Sequence, residues 1–525
     1  MKKIIDKITY ILVIALISIS CHDDLDQSPI DPDSFTEEDV FANADEAKSA
    51  LAKLYASLAL TGQEGPAGDA DISDIDEGTS QFTRMLFTLN ELTTDTAVNG
   101  WGDPGLADLH GLYWSSSNDF TEAMYSRLGQ EVSFCNSFIE NAGALSGTEA
   151  ESFVAEARFL RAYAYYNLID LYANVPLVTV VETALPEQSS REELFNFVET
   201  ELLEIQDLLP TSNEYGRVDQ VAAWALLSRL YLNAEVWTGQ DRSTDCITYS
   251  NNVINSSYSI HSTDVNGNGY AYDDLFLADN DTNGAQNEFI FVINFDGLQS
   301  QTYGGPTFLI KGGIGGSMDP TEFGVNGGWA GTRTTSALVN KFDSEGGDNR
   351  AMFYTDGQSL EIEKIAPFTQ GYAITKFKNV DSQGIQGNDK SGEFADTDLP
   401  IIRLAEIYLN YAEAVLRGGT GGDLNTAVGL INELRDRAYT DLDGDISTGD
   451  LTLDFVLDER ARELYWEGVR RTDLIRYDYF TTNSYLWPFK GDQPNGIAVD
   501  SYRNIFPIPF NVISTNPNIQ QNDGY

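Results

Sequence analysis

The longest helical pattern in this 525-residue chain is centred on Ala155-Glu156-Ala157-Arg158-Phe159-Leu160-Arg161-Ala162-Tyr163-Ala164-Tyr165-Tyr166-Asn167-Leu168. Small alanines alternate with large rings, a pattern typical of a helix that lets its neighbour approach closely and fills the gaps with aromatic side chains. The pattern predicts a helix over Glu149–Tyr172, ended by Asn174 and Pro176.

Further amphipathic stretches follow in pairs that are joined by short turns rich in Gly or Asp, such as Arg417–Asp423. The predicted helices are Ala44–Leu60, Thr121–Asn141, Arg191–Leu208, Val218–Val236, Asp241–Ile254, Ile401–Leu416, Leu424–Ala438 and Leu451–Glu467. This paired rhythm predicts a mainly α fold, a tetratricopeptide-like scaffold of helical pairs without a strict 34-residue repeat.

The stretch 256–400 has a different composition, rich in Gly, Asn and Thr, with short strand-like runs such as Glu288–Asn294. We expect one body over 41–525, with helical repeats at about 41–60, 120–255 and 400–480. Its loop-rich region, at about 61–119 and 256–400, would carry short β-strands and hold the ligand, because binding residues concentrate on loops held by a rigid scaffold.

The N-terminus has the layout of a lipoprotein signal. A basic start precedes the apolar run Ile8–Ile19, which is too short for the ~20 residues that cross a bilayer. Residues 1–20 are therefore predicted to be a signal peptide and Cys21 the lipidated first residue of the mature chain. Residues 21–40 would form an acidic tether. The alternative is an ordinary secreted protein with an incidental cysteine.

Composition excludes several classes of function. The chain has 81 acidic and 32 basic residues, a net charge of −49, so nucleic acid is not an expected partner and anionic polysaccharides are disfavoured. Three histidines far apart make a His-rich zinc site improbable. Cys135 and Cys246 are expected to be buried free thiols, with a mutual disulfide as the alternative.

Several sequence blocks together resemble a known family, the SusD/RagB nutrient-binding outer-membrane lipoproteins of Bacteroidota. The blocks, in family order, are Cys21–Asp26, Glu156–Tyr163, Asn174–Leu177, Arg403–Ala414, Glu459–Leu464, Phe506–Pro509 and Asn516–Ile519. One such block alone is weak evidence for the family, whereas seven blocks in the order typical of the family are strong evidence. The similarity extends over nearly the whole chain.

The resemblance implies a noncatalytic, lipid-anchored protein of the outer-membrane surface. It would capture oligosaccharides and deliver them to a SusC-like, TonB-dependent transporter, and the acidic residues after Cys21 would act as a surface-export signal. Two alternatives stay open: a glycoside hydrolase that uses a carboxylate pair, and a lid protein for non-glycan cargo such as peptides. No Walker, G-x-S-x-G or H-E-x-x-H motif occurs.

Sugar recognition requires flat aromatic rings against the apolar faces of pyranoses. Trp101, Tyr303 and Trp329 each lie in a loop with neighbouring glycines and are predicted to bind glycan. The alternative is that each ring folds back onto the core.

The three aromatic positions also resemble those of the starch-binding branch of the family, in order and approximate spacing. That resemblance implies polar partners at Asp76, Arg84 and Asp103, although Asp103 stands where an amide is expected. Surface salt bridges or turn caps are the alternative roles for these three residues. The preferred ligand is an α-glucan such as starch, followed by laminarin-type or other neutral glycans.

Asp264, Asn266 and Asn268 match the first half of a calcium loop, with Gly269 at its sixth position. The twelfth position is Leu275 rather than Glu, although Asp273 and Asp274 precede it. A structural calcium ion and a plain turn are both open interpretations, and no other cofactor is expected. The charged cluster Glu459–Arg471 is predicted to form an ion-pair network, with an expected i, i+4 pair of Glu467 with Arg471, or alternatively an interaction face.

Overall fold

The computed structural model describes residues 36–68, 70–342, 347–439 and 444–525. Its α-helices are α1 Glu37–Val40, α2 Ala44–Ala59, α3 Phe82–Asn90, α4 Leu106–Gly111, α5 Asp119–Ala142, α6 Thr148–Tyr172, α7 Arg191–Ile205, α8 Gln220–Leu232, α9 Ala234–Thr238, α10 Ser243–Ile254, α11 Gly305–Gly312, α12 Ser336–Val339, α13 Leu404–Leu416, α14 Leu424–Tyr439, α15 Leu453–Leu464, α16 Arg470–Arg476 and α17 Phe510–Thr515. Within these ranges, no helix combines the length and apolar character needed to cross a membrane. The predicted mainly α fold is confirmed.

Most helices pack on a helix close to them along the chain, whereas the packing of α10 on α13 joins two distant parts of the sequence. Helix α5 packs on α6, α6 on α7, α8 on α10, α10 on α13 and α13 on α14. Local sequence sets several of these helix starts: the Asn118 side chain caps α5, and Ser190 with Glu193 forms a capping box on α7.

Helix α6, predicted from the quoted stretch, lies at the centre of the scaffold. Its Ala155, Ala162 and Ala164 are completely buried, as the small-large alternation predicts. The ring of Tyr163 meets Phe291 edge to face at a centroid distance of 5.1 Å. Phe291 lies in a strand, so α6 joins the helical scaffold to the sheet region.

Within the described part of the chain, the strands form three two-stranded antiparallel sheets. They are β1 Val98–Asn99 with β3 Thr332–Arg333, β2 Phe289–Ile293 with β6 Leu399–Arg403, and β4 Phe353–Tyr354 with β5 Ala373–Ile374. In the first sheet Val98 lies opposite Arg333 and Asn99 opposite Thr332. This short pairing brings together two loops that are distant in sequence and carry Trp101 and Trp329.

The charged C-terminal cluster is a buried ion-pair network rather than an interaction face. Glu463 is completely buried and accepts from Arg350, Arg403 and Arg437. The expected i, i+4 pairing of Glu467 with Arg471 is wrong, because the helix ends at Leu464. Glu467 instead pairs with Arg403 at 2.7 Å and Lys376 at 2.7 Å.

The signal peptide, Cys21 and the tether up to residue 35 lie outside the described residues. The lipid anchor therefore stays a prediction, and so does the subdivision of 41–525. Cys135 and Cys246 are both buried and free, so the alternative of a mutual disulfide is wrong.

Candidate functional site

The three predicted aromatic residues form one continuous surface, here called the aromatic arc: Trp101, Trp329 and Tyr303. The Trp101 and Trp329 ring centroids are 6.1 Å apart, and those of Trp329 and Tyr303 are also 6.1 Å apart. Each ring is turned by 57° from the next, so the surface curves. All three side chains are partly exposed, and Trp101 and Trp329 also pack against the core with part of their surface. Their binding of glycan stays a prediction.

Trp101 is held in place by contacts on both sides of its loop. Its indole Nε1 donates to the backbone carbonyl of Trp329 at 3.0 Å, and its backbone N–H donates to Asn99 Oδ1 at 2.9 Å. The ring lies directly on Gly331, where a Cβ atom would be 2.2 Å from Trp101 Cε2. Residue 331 must therefore be glycine for the ring to adopt this position.

Trp329 is fixed by the strand and helix beside it. Its backbone N–H donates to the Lys311 carbonyl at 2.6 Å, at the end of α11. The buried guanidinium of Arg333 donates to the carbonyls of Gly331, Pro367 and Gln370, and so holds a neighbouring loop against β3. Burial lowers the pKa of Arg333 to about 10, yet the group stays cationic at neutral pH.

Arg84 lies beneath the Trp101 end of the arc. Its guanidinium carbon is 5.6 Å from the Trp101 ring centroid and 4.6 Å from that of Phe308, and Nη1 donates to the carbonyls of Gly78 and Tyr303. Burial lowers the pKa of Arg84 to about 10, an effect that the charges of Asp103 and Asp76 oppose.

The two predicted aspartates differ in their surroundings. Asp76 is exposed, and its Oδ1 accepts from Thr79 N at 2.8 Å and Thr79 Oγ1 at 3.0 Å, as a turn cap does. Asp103 is partly exposed, and its backbone carbonyl accepts from Leu106 N at the start of α4. Asp76 thus has the alternative role of a turn cap in this conformation, and the sugar contacts of Asp76, Arg84 and Asp103 stay predictions.

A second group of polar side chains, which no motif in the sequence indicates, borders the other end of the arc. Lys311, only 2% exposed, donates Nζ to Glu393 Oε2 at 2.8 Å and to Asn326 Oδ1 at 3.0 Å. Its Nζ lies 5.6 Å from the Trp329 ring centroid. The signal available in the sequence was a lone lysine in an otherwise apolar helix, α11. Asn326 and Glu393 carry no local signal.

The loop Asp264–Tyr270, for which a calcium ion and a plain turn were both open interpretations, has the geometry of a tight turn. Both carboxylate oxygens of Asp264 accept backbone N–H groups, from Gly267 at 2.7 Å and Gly269 at 2.8 Å. The amides of Asn266 and Asn268 donate to Asp273 Oδ2 at 3.0 and 2.6 Å. Across the described ranges, no three His, Cys, Asp or Glu side chains are grouped to hold a metal ion, so calcium ligation would require amide or backbone oxygens.

Comparison with known proteins identifies the family. A SusD family model matches residues 329–525, and a model described as "Starch-binding associating with outer membrane" matches residues 79–232. The chain is 36% identical to the starch-binding protein SusD of Bacteroides thetaiotaomicron, over 96% of each chain. The chain belongs to the SusD family. The resemblance drawn from the sequence blocks is confirmed, and the 36% identical relative is named as a binding protein, in line with the noncatalytic prediction.

More distant relatives share the architecture of this SusD family member. The SusD-like protein P2 of Formosa agariphila is 25% identical over 99% of each chain. A SusD superfamily structure from Parabacteroides distasonis has a TM-score of 0.71 at 20% identity, covering 94% of this chain and all of the other. Surface glycan-binding protein A from Bacteroides thetaiotaomicron, in complex with laminarihexaose, has a TM-score of 0.69 at 19% identity, covering 91% and 99%.

Proposed function

We propose that this SusD family member binds α-glucan oligosaccharides on the aromatic arc without cleaving them. The observation that carries the proposal is the contiguity of three partly exposed rings, each turned from the next by 57°. Rings in this arrangement can stack on successive sugars of a curved chain, and Arg84 beneath Trp101 offers N–H donors to their hydroxyls. The 36% identical relative is a starch-binding protein, which supports an α-glucan ligand.

The proposal includes a location and a partner. Cys21 would carry the lipid that anchors the protein to the outer membrane, facing outward, and a SusC-like, TonB-dependent transporter would receive the captured oligosaccharide. The match to a family described as associating with the outer membrane supports this location. Palmitate labelling of Cys21 and a Cys21→Ala variant, combined with surface labelling of intact cells, test the anchor and its orientation.

Affinity electrophoresis through amylopectin gels and calorimetry with maltoheptaose test the binding site. Removal of an aromatic anchor costs ~1–3 kcal/mol, so we expect Trp101→Ala and Trp329→Ala each to weaken binding by ~5- to 150-fold. The matched control is Trp224→Ala, on helix α8, whose half-buried indole donates to Gln206. Equal losses in all three variants, or affinity unchanged in the two arc variants, would refute the site.

Incubation of the same protein with starch tests the absence of catalysis. We expect retardation in the gel without release of reducing sugar. Hydrolysis that survives purification to homogeneity and disappears in a carboxylate variant would instead favour the glycosidase alternative.

A laminarin-type β-glucan is the second candidate ligand, because a solved relative of the same fold is bound to laminarihexaose. Calorimetry with maltoheptaose and laminarihexaose on one protein preparation separates the two candidates. Tighter binding of laminarihexaose would replace the α-glucan assignment while leaving the aromatic arc as the site.

A further inference from the structure

Lys311, Asn326 and Glu393, here called the polar trio, form a closed hydrogen-bonded group at the Trp329–Tyr303 end of the arc. Besides accepting from Lys311, Glu393 Oε2 also accepts from Asn326 Nδ2 at 2.9 Å. Each member of the trio therefore contacts the other two. Phe394, the residue after Glu393, packs against Tyr303 with ring centroids 5.4 Å apart.

The trio lies at the surface but is held by a buried side chain. Asn326 is exposed and the Glu393 side chain is about one-third exposed, whereas the ammonium group that holds them belongs to a buried lysine. Burying a lysine is costly unless its donors are satisfied. The Glu393 backbone N–H is also fixed, donating to Asp389 Oδ2 at 3.0 Å. The carboxylate and amide are thus held in one orientation before any ligand arrives.

The trio also retains unused hydrogen-bonding capacity beside the arc. Among the described residues, both side-chain hydrogen bonds to the Glu393 carboxylate end on Oε2, which leaves Oε1 able to accept from a hydroxyl. A carboxylate has about four acceptor positions, and an amide nitrogen has two donors. Carboxylate and amide groups next to an aromatic ring are the combination that recognises sugar hydroxyls.

We propose that Glu393 and Asn326, positioned by Lys311, form a second polar subsite that binds hydroxyls of the sugar residue stacked at the Tyr303 end of the arc. The subsite rests on the proposed function, since it extends the same glycan site. It gives the arc polar groups at both ends, with Arg84 at the Trp101 end. Because Glu393 is an anion, the subsite also selects against glycans that carry a carboxylate or sulfate at this position.

Calorimetry with maltoheptaose tests the subsite through Asn326→Ala and Glu393→Gln. A hydrogen bond to a charged group contributes ~1.5–3 kcal/mol, so we expect Glu393→Gln to weaken binding by ~10-fold or more and Asn326→Ala by a smaller factor. Maltoheptaose oxidised at its C6 positions gives an independent readout. Wild type should bind the oxidised sugar more weakly than maltoheptaose, and the difference between these two affinities should be smaller for Glu393→Gln.

Two further variants control the experiment. Glu322→Gln removes an exposed charge from the same loop region without touching the arc, and should leave both affinities within twofold of wild type. Glu393→Gln leaves the buried Lys311 without its anion and could unfold the protein. In that case the double variant Lys311→Met/Glu393→Gln tests the subsite, because it removes both charges together.

The outcomes distinguish the subsite from the site as a whole. If Asn326→Ala, Glu393→Gln and the double variant all bind maltoheptaose within twofold of wild type while Trp329→Ala does not, the subsite is refuted and the proposed function stands. If the wild type binds neither maltoheptaose nor laminarihexaose, the subsite and the proposed function are both refuted.

Discussion

Replacement of Gly331 by alanine should disable the aromatic arc without removing any of its rings. The added Cβ would lie 2.2 Å from Cε2, 2.3 Å from Nε1 and 2.6 Å from Cζ2 of Trp101. Non-bonded carbon atoms are in contact at about 3.5–4.0 Å, so the indole must retreat by more than ~1 Å. That movement would also break the 3.0 Å hydrogen bond from Nε1 to the Trp329 carbonyl.

In the proposed site, the displaced ring could no longer stack on the same sugar as Trp329. Since loss of an aromatic anchor costs ~1–3 kcal/mol, we expect Gly331→Ala to weaken maltoheptaose binding by ~5- to 150-fold in calorimetry, approaching the effect of Trp101→Ala. The double variant Gly331→Ala/Trp101→Ala should bind no more weakly than Trp101→Ala alone, because the two changes act on the same ring.

Gly327 and Gly102 provide matched controls, because a Cβ at either position meets no atom within 4 Å. Gly327→Ala and Gly102→Ala should therefore bind maltoheptaose as the wild type does. The reasoning would be refuted if Gly331→Ala bound as tightly as these controls, or if all three alanine variants lost affinity equally.

Three other predictions concern the scaffold. Burial raises the pKa of Glu131 to about 7, partly opposed by hydrogen bonds from Ser57 and Cys135. Because this pKa is higher in the folded than in the unfolded state, protonation of Glu131 stabilises the fold. The stabilisation is complete below the unfolded pKa and is lost as pH rises through 7. The free energy of unfolding of wild type, relative to that of Glu131→Gln, should therefore fall by roughly 2–3 kcal/mol between pH 4.5 and 8. A pH-independent difference in urea denaturation would contradict this. Glu463→Gln, which leaves three buried arginines short of an anion, should cost ~3–5 kcal/mol in the same assay, against less than ~1 kcal/mol for Glu204→Gln at the surface. If the loop at Asp264 binds calcium, the melting temperature of wild type should be higher in millimolar Ca²⁺ than in EDTA, and Asp264→Ala should abolish this difference. An unchanged melting temperature in wild type would show that the loop is a plain turn.

The helical scaffold was predictable because its signals are local. The pattern from Glu149 to Tyr172 predicted α6 to within one residue of its start at Thr148. The continuous apolar run beginning at Phe289 likewise marked β2. The Glu467–Arg471 pair failed because i, i+4 spacing implies contact only inside a helix, and α15 ends at Leu464.

The candidate site was predictable only in part. Glycine-flanked loops indicated that the rings of Trp101, Tyr303 and Trp329 project. No local pattern, however, predicts how loops that are distant in sequence are arranged next to one another in space. Trp329 lies between the other two in space although it is last in sequence. Contacts such as that of Glu393 with Lys311, 82 residues apart, depend on tertiary packing and leave no periodicity to detect.

The hydrogen bond from Trp101 to Trp329 joins residues that are 228 positions apart. Binding competence is therefore a late event in biosynthesis: a nascent or truncated chain that lacks residues beyond 328 has no arc, however well its first helices have formed. The mutual approach of the two indoles should also change tryptophan emission when the N-terminal and central parts of the chain assemble, in addition to the changes at the other five tryptophans. Refolding followed by fluorescence should therefore include a phase with the rate constant at which maltoheptaose binding appears.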